Sequence, residues 1–202
     1  MSGSQLKENG GIEILPIPIS TPGFDNAPYL TCANWVTKDP ETGIRNVGNY
    51  RAMIKSKTRT GICCLGSQHI HIHWQKCKQK GIPLQAAIVI GASPNIGFVG
   101  CSKLPYGIDE YAVAGGIAGE PVELVKCKTV DIEVPATAEI VIEGELPTDY
   151  REREAPFGEF TGYMGMEEIN PYFNITCITH RENPIYNAFI SQFPPSESSK
   201  IR

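Results

Sequence analysis

Eight runs rich in β-branched and aromatic residues are strung between residues 29 and 190, and turn formers separate them at short intervals. They are Tyr29 to Val36, Asn49 to Ile54, Gly61 to Leu65, Leu84 to Ile90, Val130 to Val134, Glu139 to Glu145, Tyr172 to Thr179 and Ile185 to Ile190. Runs of this length read as strands. Asp39-Pro40-Glu41-Thr42-Gly43 supplies the turn after the first. Residues 1–27 are rich in Gly, Pro and Ser and are expected to be an N-terminal tail or linker, because Pro16, Pro18 and Pro22 oppose regular structure. Residues 28–192 then form the domain, and 193–202 read as a truncated C-terminal segment without a closing element.

Two stretches read as helices. In the first, Ser67 is the expected N-cap, Ile70, Trp74 and Cys77 recur at helical spacing, and Gly81 with Pro83 stops it. The second runs from Ile108 to Ala118 and puts Glu110 on the same face as Val113, Ala114 and Ile117. An acid at the head of an apolar face suits either the positive end of the helix dipole or a ligand. Gln68 and His69 fall in the first turn of the other helix, where unpaired N–H groups favour an anion such as phosphate. The expected fold is mainly β (α+β), a barrel or curved sheet flanked by short helices.

The chain has 202 residues, 41% of them apolar, which is enough for one sizeable core. A formal charge of −4 and the lack of basic runs argue against a nucleic-acid partner. No apolar stretch is long enough for a membrane span, and the N-terminus lacks a signal-like apolar region, so a cytoplasmic location is expected. The seven cysteines form neither a C-x-x-C pair nor a zinc-ribbon spacing and read as reduced core residues.

Three features bear on chemistry. His69-Ile70-His71-Ile72-His73 looks metal-binding, but on a helix only His69 and His73 share a face, and the glutamate of H-E-x-x-H is missing. Gly91, Gly97 and Gly100 sit in a loop without a Rossmann or Walker pattern. Glu154-Ala155-Pro156-Phe157-Gly158-Glu159 sets two acids five residues apart on backbone that Pro and Gly keep out of helix. Taken alone this is a charged loop. Beside an arginine such as Arg51, two acids can be driven to different proton affinities.

Several stretches taken together resemble the UbiD family of decarboxylases. They are Asp39 through Arg51, Gln68-His69, Asp109-Glu110, Gly119 through Cys127, Ala138 through Gly144, and Glu154 through Glu159, in order and with family-like spacing from about residue 25 onward. The resemblance implies a split β-barrel of the flavin-reductase/UbiD type that binds prenylated FMN. Its implied reaction is reversible, non-oxidative decarboxylation of an aromatic or α,β-unsaturated carboxylic acid. Arg51, Glu154 and Glu159 match the family's catalytic Glu-Arg-Glu network, with Glu159 as proton donor, Arg51 holding the substrate carboxylate and Glu154 positioning Arg51. Asn46, His69 and Glu110 fall on positions that hold Mn²⁺ or Mg²⁺ against the cofactor phosphate. Val47, Val99, Gly100 and Ser102 match a region for K⁺ and cofactor, and Asn49, Tyr50, Arg51, Gln68 and Cys101 complete the implied cofactor-binding set.

Implied partners are the small carboxylic acid and CO₂, a flavin prenyltransferase as supplier of cofactor, and either further copies of the chain or a C-terminal portion or subunit. Family members are much longer than this chain, and Lys103 stands where relatives carry another residue. The alternatives are a non-catalytic module that binds flavin phosphate or serves subunit assembly, and a plain FMN-reductase-like barrel.

Overall fold

The computed structural model describes residues 1–64, 66–192 and 194–201, the side chain of Ile201 excepted. In chain order the elements are α1 (Ser4–Glu8), β1 (Tyr29–Leu30), β2 (Asn34–Lys38), β3 (Arg45–Asn49), β4 (Ala52–Ser56), β5 (Arg59–Gly61), α2 (His69–Gln79), β6 (Leu84–Ile90), α3 (Pro94–Gly100) and α4 (Glu110–Ala118). There follow β7 (Leu124–Lys126), β8 (Glu133–Pro135), β9 (Ile140–Leu146), β10 (Glu152–Glu154), β11 (Phe157–Gly158), β12 (Met164–Gly165), β13 (Glu168–Asn170), β14 (Tyr172–His180) and α5 (Glu197–Ile201).

Eight strands build one sheet in the order β1-β4-β5-β14-β9-β6-β2-β3, and every neighbouring pair is antiparallel. This order forces the sheet to curl. β3 and β4 lie six strand positions apart, about 29 Å in a flat sheet at ~4.8 Å per strand. Only Tyr50 and Arg51 join them, and three Cα steps reach at most ~11 Å. The two ends of the sheet must therefore meet, giving the split barrel expected from the sequence. Residues 31–33, between β1 and β2, cross the same seam. Tyr50 N–H donates to the Ala33 carbonyl at 3.3 Å, and the Trp35 indole donates to the Tyr50 carbonyl at 2.9 Å.

Both faces of the central strands are buried, which explains their near-continuous apolar sequence. Trp35, Ala86, Ile88, Ile140 and Ile142 face a core shared with α1 and α2, where Phe173 packs edge-on to Trp35 at 4.9 Å. Val36, Ala87, Val89 and Val141 face a second core shared with Ile96 and Val99 of α3 and Tyr111 and Ala114 of α4. The β2–β3 turn forms where expected, closed by Gly43 N–H to the Asp39 carbonyl at 2.9 Å, with Gly43 at φ 73°. Among the described residues no helix is long and apolar enough to cross a membrane.

The structure departs from the sequence expectations in several places. Residues 1–27 are no tail: Leu6, Ile12 and Leu15 enter the first core, Ile12 N–H donates to the Lys57 carbonyl at 2.8 Å, and the Met1 ammonium donates to the Ile178 carbonyl at 2.6 Å. The expected run Asn49 to Ile54 breaks at Tyr50–Arg51, because that is where the chain crosses the seam. Tyr29 to Val36 splits for the same reason. The Gly61 to Leu65 run is realised as Arg59–Gly61, with Leu65 outside the described residues, and the Val130 to Val134 run as Glu133–Pro135. Residues 185–190 pair with no strand and instead lie across the seam, Phe189 N–H donating to Thr31 Oγ1 at 2.8 Å. Gln68, not Ser67, is the N-cap of α2, and no side chain caps it.

Candidate active site

The seam opens into a cavity of about 740 Å³. Asn46, Val47, Asn49, Tyr50, Arg51, Gln68, His69, Gly100, Cys101, Ser102, Glu110 and Glu159 all line it. Glu154 does not; it stands behind Arg51 with no exposed surface. Val99 lies in the second core instead. Backbone geometry accounts for much of this gathering. The Tyr50 phenol folds back over Gly48, where a Cβ would come within 2.3 Å of its oxygen, so any side chain at 48 would displace the phenol.

One group of lining residues centres on Arg51. Its Nε and Nη2 donate to the two oxygens of Glu154 at 3.0 and 2.8 Å, a two-pronged pair that uses the planar fork fully. Its Nη1 donates to Glu159, whose side chain is one-third exposed. The guanidinium lies 5.2 Å from the Phe157 ring centre, and Phe157 packs on Tyr29 at 4.5 Å. The paired carboxylates hold the Arg51 pKa well above its ordinary value, outweighing the opposing effect of burial. A nested β-arm delivers both acids: β10 pairs with β13 at its base, β11 with β12 further out. Between Glu154 and Phe157 the backbone takes a conformation rare outside glycine, with Ala155 at φ 77°. Such strain persists where surrounding contacts impose it, and the Ala155 carbonyl here accepts from Asn26 Nδ2 at 3.0 Å.

A second group comprises Asn46, His69 and Glu110. β3 is an edge strand, and Glu110 Oε2 satisfies its free Val47 N–H at 2.8 Å. Glu110 opens α4, whose N-cap Asp109 accepts from Tyr111 N–H at 3.0 Å. Arg45 fastens this helix end, donating to Asp109 at 2.8 Å and to Glu133 at 2.7 Å. Burial raises the Glu110 pKa and lowers that of His69, each shift disfavouring the charged form. Asn46 Nδ2 and Asn49 Oδ1 are buried without hydrogen-bond partners. An amide end left orphaned in this way is what a ligand-binding position presents before its ligand arrives.

The Asn46, His69 and Glu110 side chains offer donor types that divalent metals accept. Among the described residues no three His, Cys, Asp or Glu side chains converge on one point. One imidazole, one carboxylate and one amide therefore leave coordination positions for ligand oxygen and water, a set suited to Mn²⁺ or Mg²⁺. The cavity volume lies within the ordinary range for cofactor sites. At Gly100 a Cβ would sit 2.8 Å from Asn34 Oδ1, so the wall there can only be backbone.

Sequence reasoning missed Thr31, Cys63, Leu104, Phe157, Phe160, Phe189, Ser191 and Ser198, which also line the cavity. Burial pushes the Cys63 thiol up to about 11, so it is neutral. None of these residues carries a local signal for a site. They arrive through the seam, the loops after β5 and α3, the β-arm and the segment that follows β14.

Comparison with known proteins places the chain. Residues 4–194 match the family model described as the UbiD 3-octaprenyl-4-hydroxybenzoate carboxy-lyase Rift-related domain. A phenolic acid decarboxylase of Bacillus subtilis (strain 168) is 38% identical over 189 residues, covering 92% of this chain and 40% of the relative. The UbiD-class enzyme HmfF of Pelotomaculum thermopropionicum, solved with FMN, superposes with a TM-score of 0.87 at 39% identity over 91% of this chain and 41% of HmfF. An evolved dimeric form of HmfF was solved with prFMN. The vanillic acid decarboxylase of Sedimentibacter hydroxybenzoicus, in closed form, gives a TM-score of 0.90 at 34% identity over 95% of this chain and 41% of that one. This chain thus spans about two fifths of the length of these relatives. On the extent of the family match and these identities, the chain belongs to the UbiD family.

Proposed function

We propose that this chain is the cofactor-binding part of a UbiD-type decarboxylase that acts reversibly, without net oxidation, on an aromatic or α,β-unsaturated carboxylic acid, using prenylated FMN. The observation that carries this reading is Arg51 shared between fully buried Glu154 and partly exposed Glu159 on the wall of a flavin-sized cavity. The names of relatives, a phenolic acid decarboxylase and a vanillic acid decarboxylase, support an aromatic acid as substrate, and prFMN in HmfF supports the cofactor.

Asn46, His69 and Glu110 would hold Mn²⁺ or Mg²⁺, and the backbone around Val47, Gly100 and Ser102 would serve K⁺ and cofactor together with Asn49, Tyr50, Gln68 and Cys101. When bound, the prenylated flavin supplies the electron sink that decarboxylation needs. This chain's residues bind, orient and protonate. Glu154 occupies two donors of Arg51 and fixes its plane, leaving Nη1 towards the cavity. A substrate carboxylate approaching that nitrogen competes with Glu159. Once displaced, Glu159 stands beside the carbon that loses CO₂ and serves as its proton donor. Phe157 and Phe160 exclude water from this side.

A flavin prenyltransferase would supply the cofactor, and further copies of the chain or the remaining length of the protein would complete the assembly. The seven free cysteines suit a reducing compartment, the cytoplasm. The test is Glu159→Gln in the assembled protein made alongside a prenyltransferase. Decarboxylation and solvent-deuterium incorporation into product should fall by about 10²-fold or more while the flavin absorbance stays. Unaltered turnover would refute the role of Glu159.

A further inference from the structure

We propose that Tyr106 is a positioning residue that holds the His69 imidazole in the orientation the metal-and-cofactor site requires, an inference that rests on the functional reading above. His69, His73 and Lys76 lie at i, i+4 and i+7, one face of α2. One ring covers all three. Tyr106, from the loop between α3 and α4, meets the His69 ring edge-on at 5.2 Å and 85°, and the His73 ring at 5.8 Å and 73°; Lys76 Nζ lies 5.4 Å from its centre. Its hydroxyl donates to Asp39 Oδ2 at 2.5 Å. Asp39 is buried at 2% exposure and is itself fixed, accepting from Lys76 Nζ at 2.7 Å and from Glu41 N–H at 2.9 Å. The Tyr106 ring is therefore tied at its far end to the β2–β3 turn.

His69 needs such a clamp and His73 does not. His73 Nδ1 is bonded to Thr37 Oγ1 at 2.9 Å, whereas among the described residues the His69 ring has no hydrogen-bond partner. Beside it lies a second cavity of about 210 Å³, lined by Asn46, His69, His73 and Tyr106 among others, so the ring has room to turn away. A metal-binding nitrogen works only when its lone pair points at the ion, and partners outside the ligand set usually fix that direction. Here the edge of an anchored tyrosine does so in place of a hydrogen bond.

The test is Mn²⁺ binding followed by electron paramagnetic resonance, with FMN present, in the wild type, Tyr106→Phe and Tyr106→Leu. Tyr106→Phe keeps the ring and frees its anchor; Tyr106→Leu removes the edge contact. Affinity should drop about 10-fold in the first and towards 100-fold in the second, measured well below each variant's thermal midpoint. Tyr106→Phe keeps the test decisive should the leucine variant not fold. Wild-type affinity in a folded variant overturns the inference and leaves the decarboxylase reading standing. Wild-type protein that takes up no Mn²⁺ overturns the metal assignment and this inference together.

Discussion

The two groups on the cavity wall are built to opposite rules. Around Arg51 three of the guanidinium nitrogens have carboxylate partners, an aromatic ring lies over the cation, and the buried acid is fully engaged. Around Asn46, a buried amide end has no partner among the described residues, the His69 imidazole meets the edge of the Tyr106 ring, and the buried Glu110 carboxyl accepts from the Val47 N–H. The first group is complete as folded. The second holds bonding capacity in reserve, and that contrast separates residues that stabilise the empty protein from residues whose contribution appears only with a ligand.

The comparison is easiest to break at Arg51. Arg51→Ala leaves Glu154 buried without its partner, and should cost about 3–5 kcal/mol in urea unfolding of the ligand-free protein. Adding Glu154→Gln should recover part of that loss, because the stranded carboxyl is gone. A cost under about 1 kcal/mol for Arg51→Ala would show the pair to be better hydrated than its geometry implies.

A pH titration probes the ground beneath the second group. His73 is buried, and desolvation lowers its pKa to about 4 from an ordinary 6.5. Above pH 6.5 it is neutral in folded and unfolded chains alike. As pH falls from 6.5 to 4 the unfolded chain takes up a proton that the folded chain refuses, so stability should fall across this window by roughly 3 kcal/mol. Asp39 and Lys76 both face this histidine, with opposing effects. Replacing it, His73→Asn, should flatten that part of the stability profile. An unchanged slope would assign the loss to other groups.

The smallest stability effect is expected at Asn46. Asn46→Ala removes a buried donor that has no partner, so the ligand-free protein should change by less than about 1 kcal/mol. Mn²⁺ affinity with FMN present should fall all the same. A large loss of ligand-free stability would mean that the amide is already satisfied and that the contrast between the two groups fails.

The sequence made legible what depends on near neighbours. Leu84 to Ile90 reads as a strand because, Gln85 apart, the residues on both faces are apolar, and the Asp39–Gly43 turn follows from residue types suited to tight turns. His69 and His73 share a helix face, as helical spacing requires. Barrel closure is not a local property, so nothing around Tyr50 and Arg51 announced the break between β3 and β4. The buried N-terminal stretch was hidden for the same reason: Leu6, Ile12 and Leu15 are sparse among glycines and prolines, and the core they enter comes from residues far along the chain. β10 and β13 carry charge where strands were sought by apolar content.

At the site, the meeting of Arg51 with acids 103 and 108 positions away followed from family likeness, not from spacing. The candidate metal set was reached the same way. Tyr106 had no precedent in the sequence at all, since an aromatic in a Pro-Tyr-Gly turn gives no hint of the helix face it will cover. Cavity residues that ride on the β-arm and on the segment after β14 were equally silent.

The two-residue link between β3 and β4 also makes the pocket a property of the closed barrel. Asn46 and Asn49 belong to one margin of the sheet and Arg51 leads into β4 near the other, with five strands between β3 and β4. A partly folded chain that has laid down only β2, β3 and β6, or only β1, β4 and β5, owns at most a fragment of the pocket. The pocket is therefore whole only in the closed barrel, and a bound ligand certifies that the last strand has found its place.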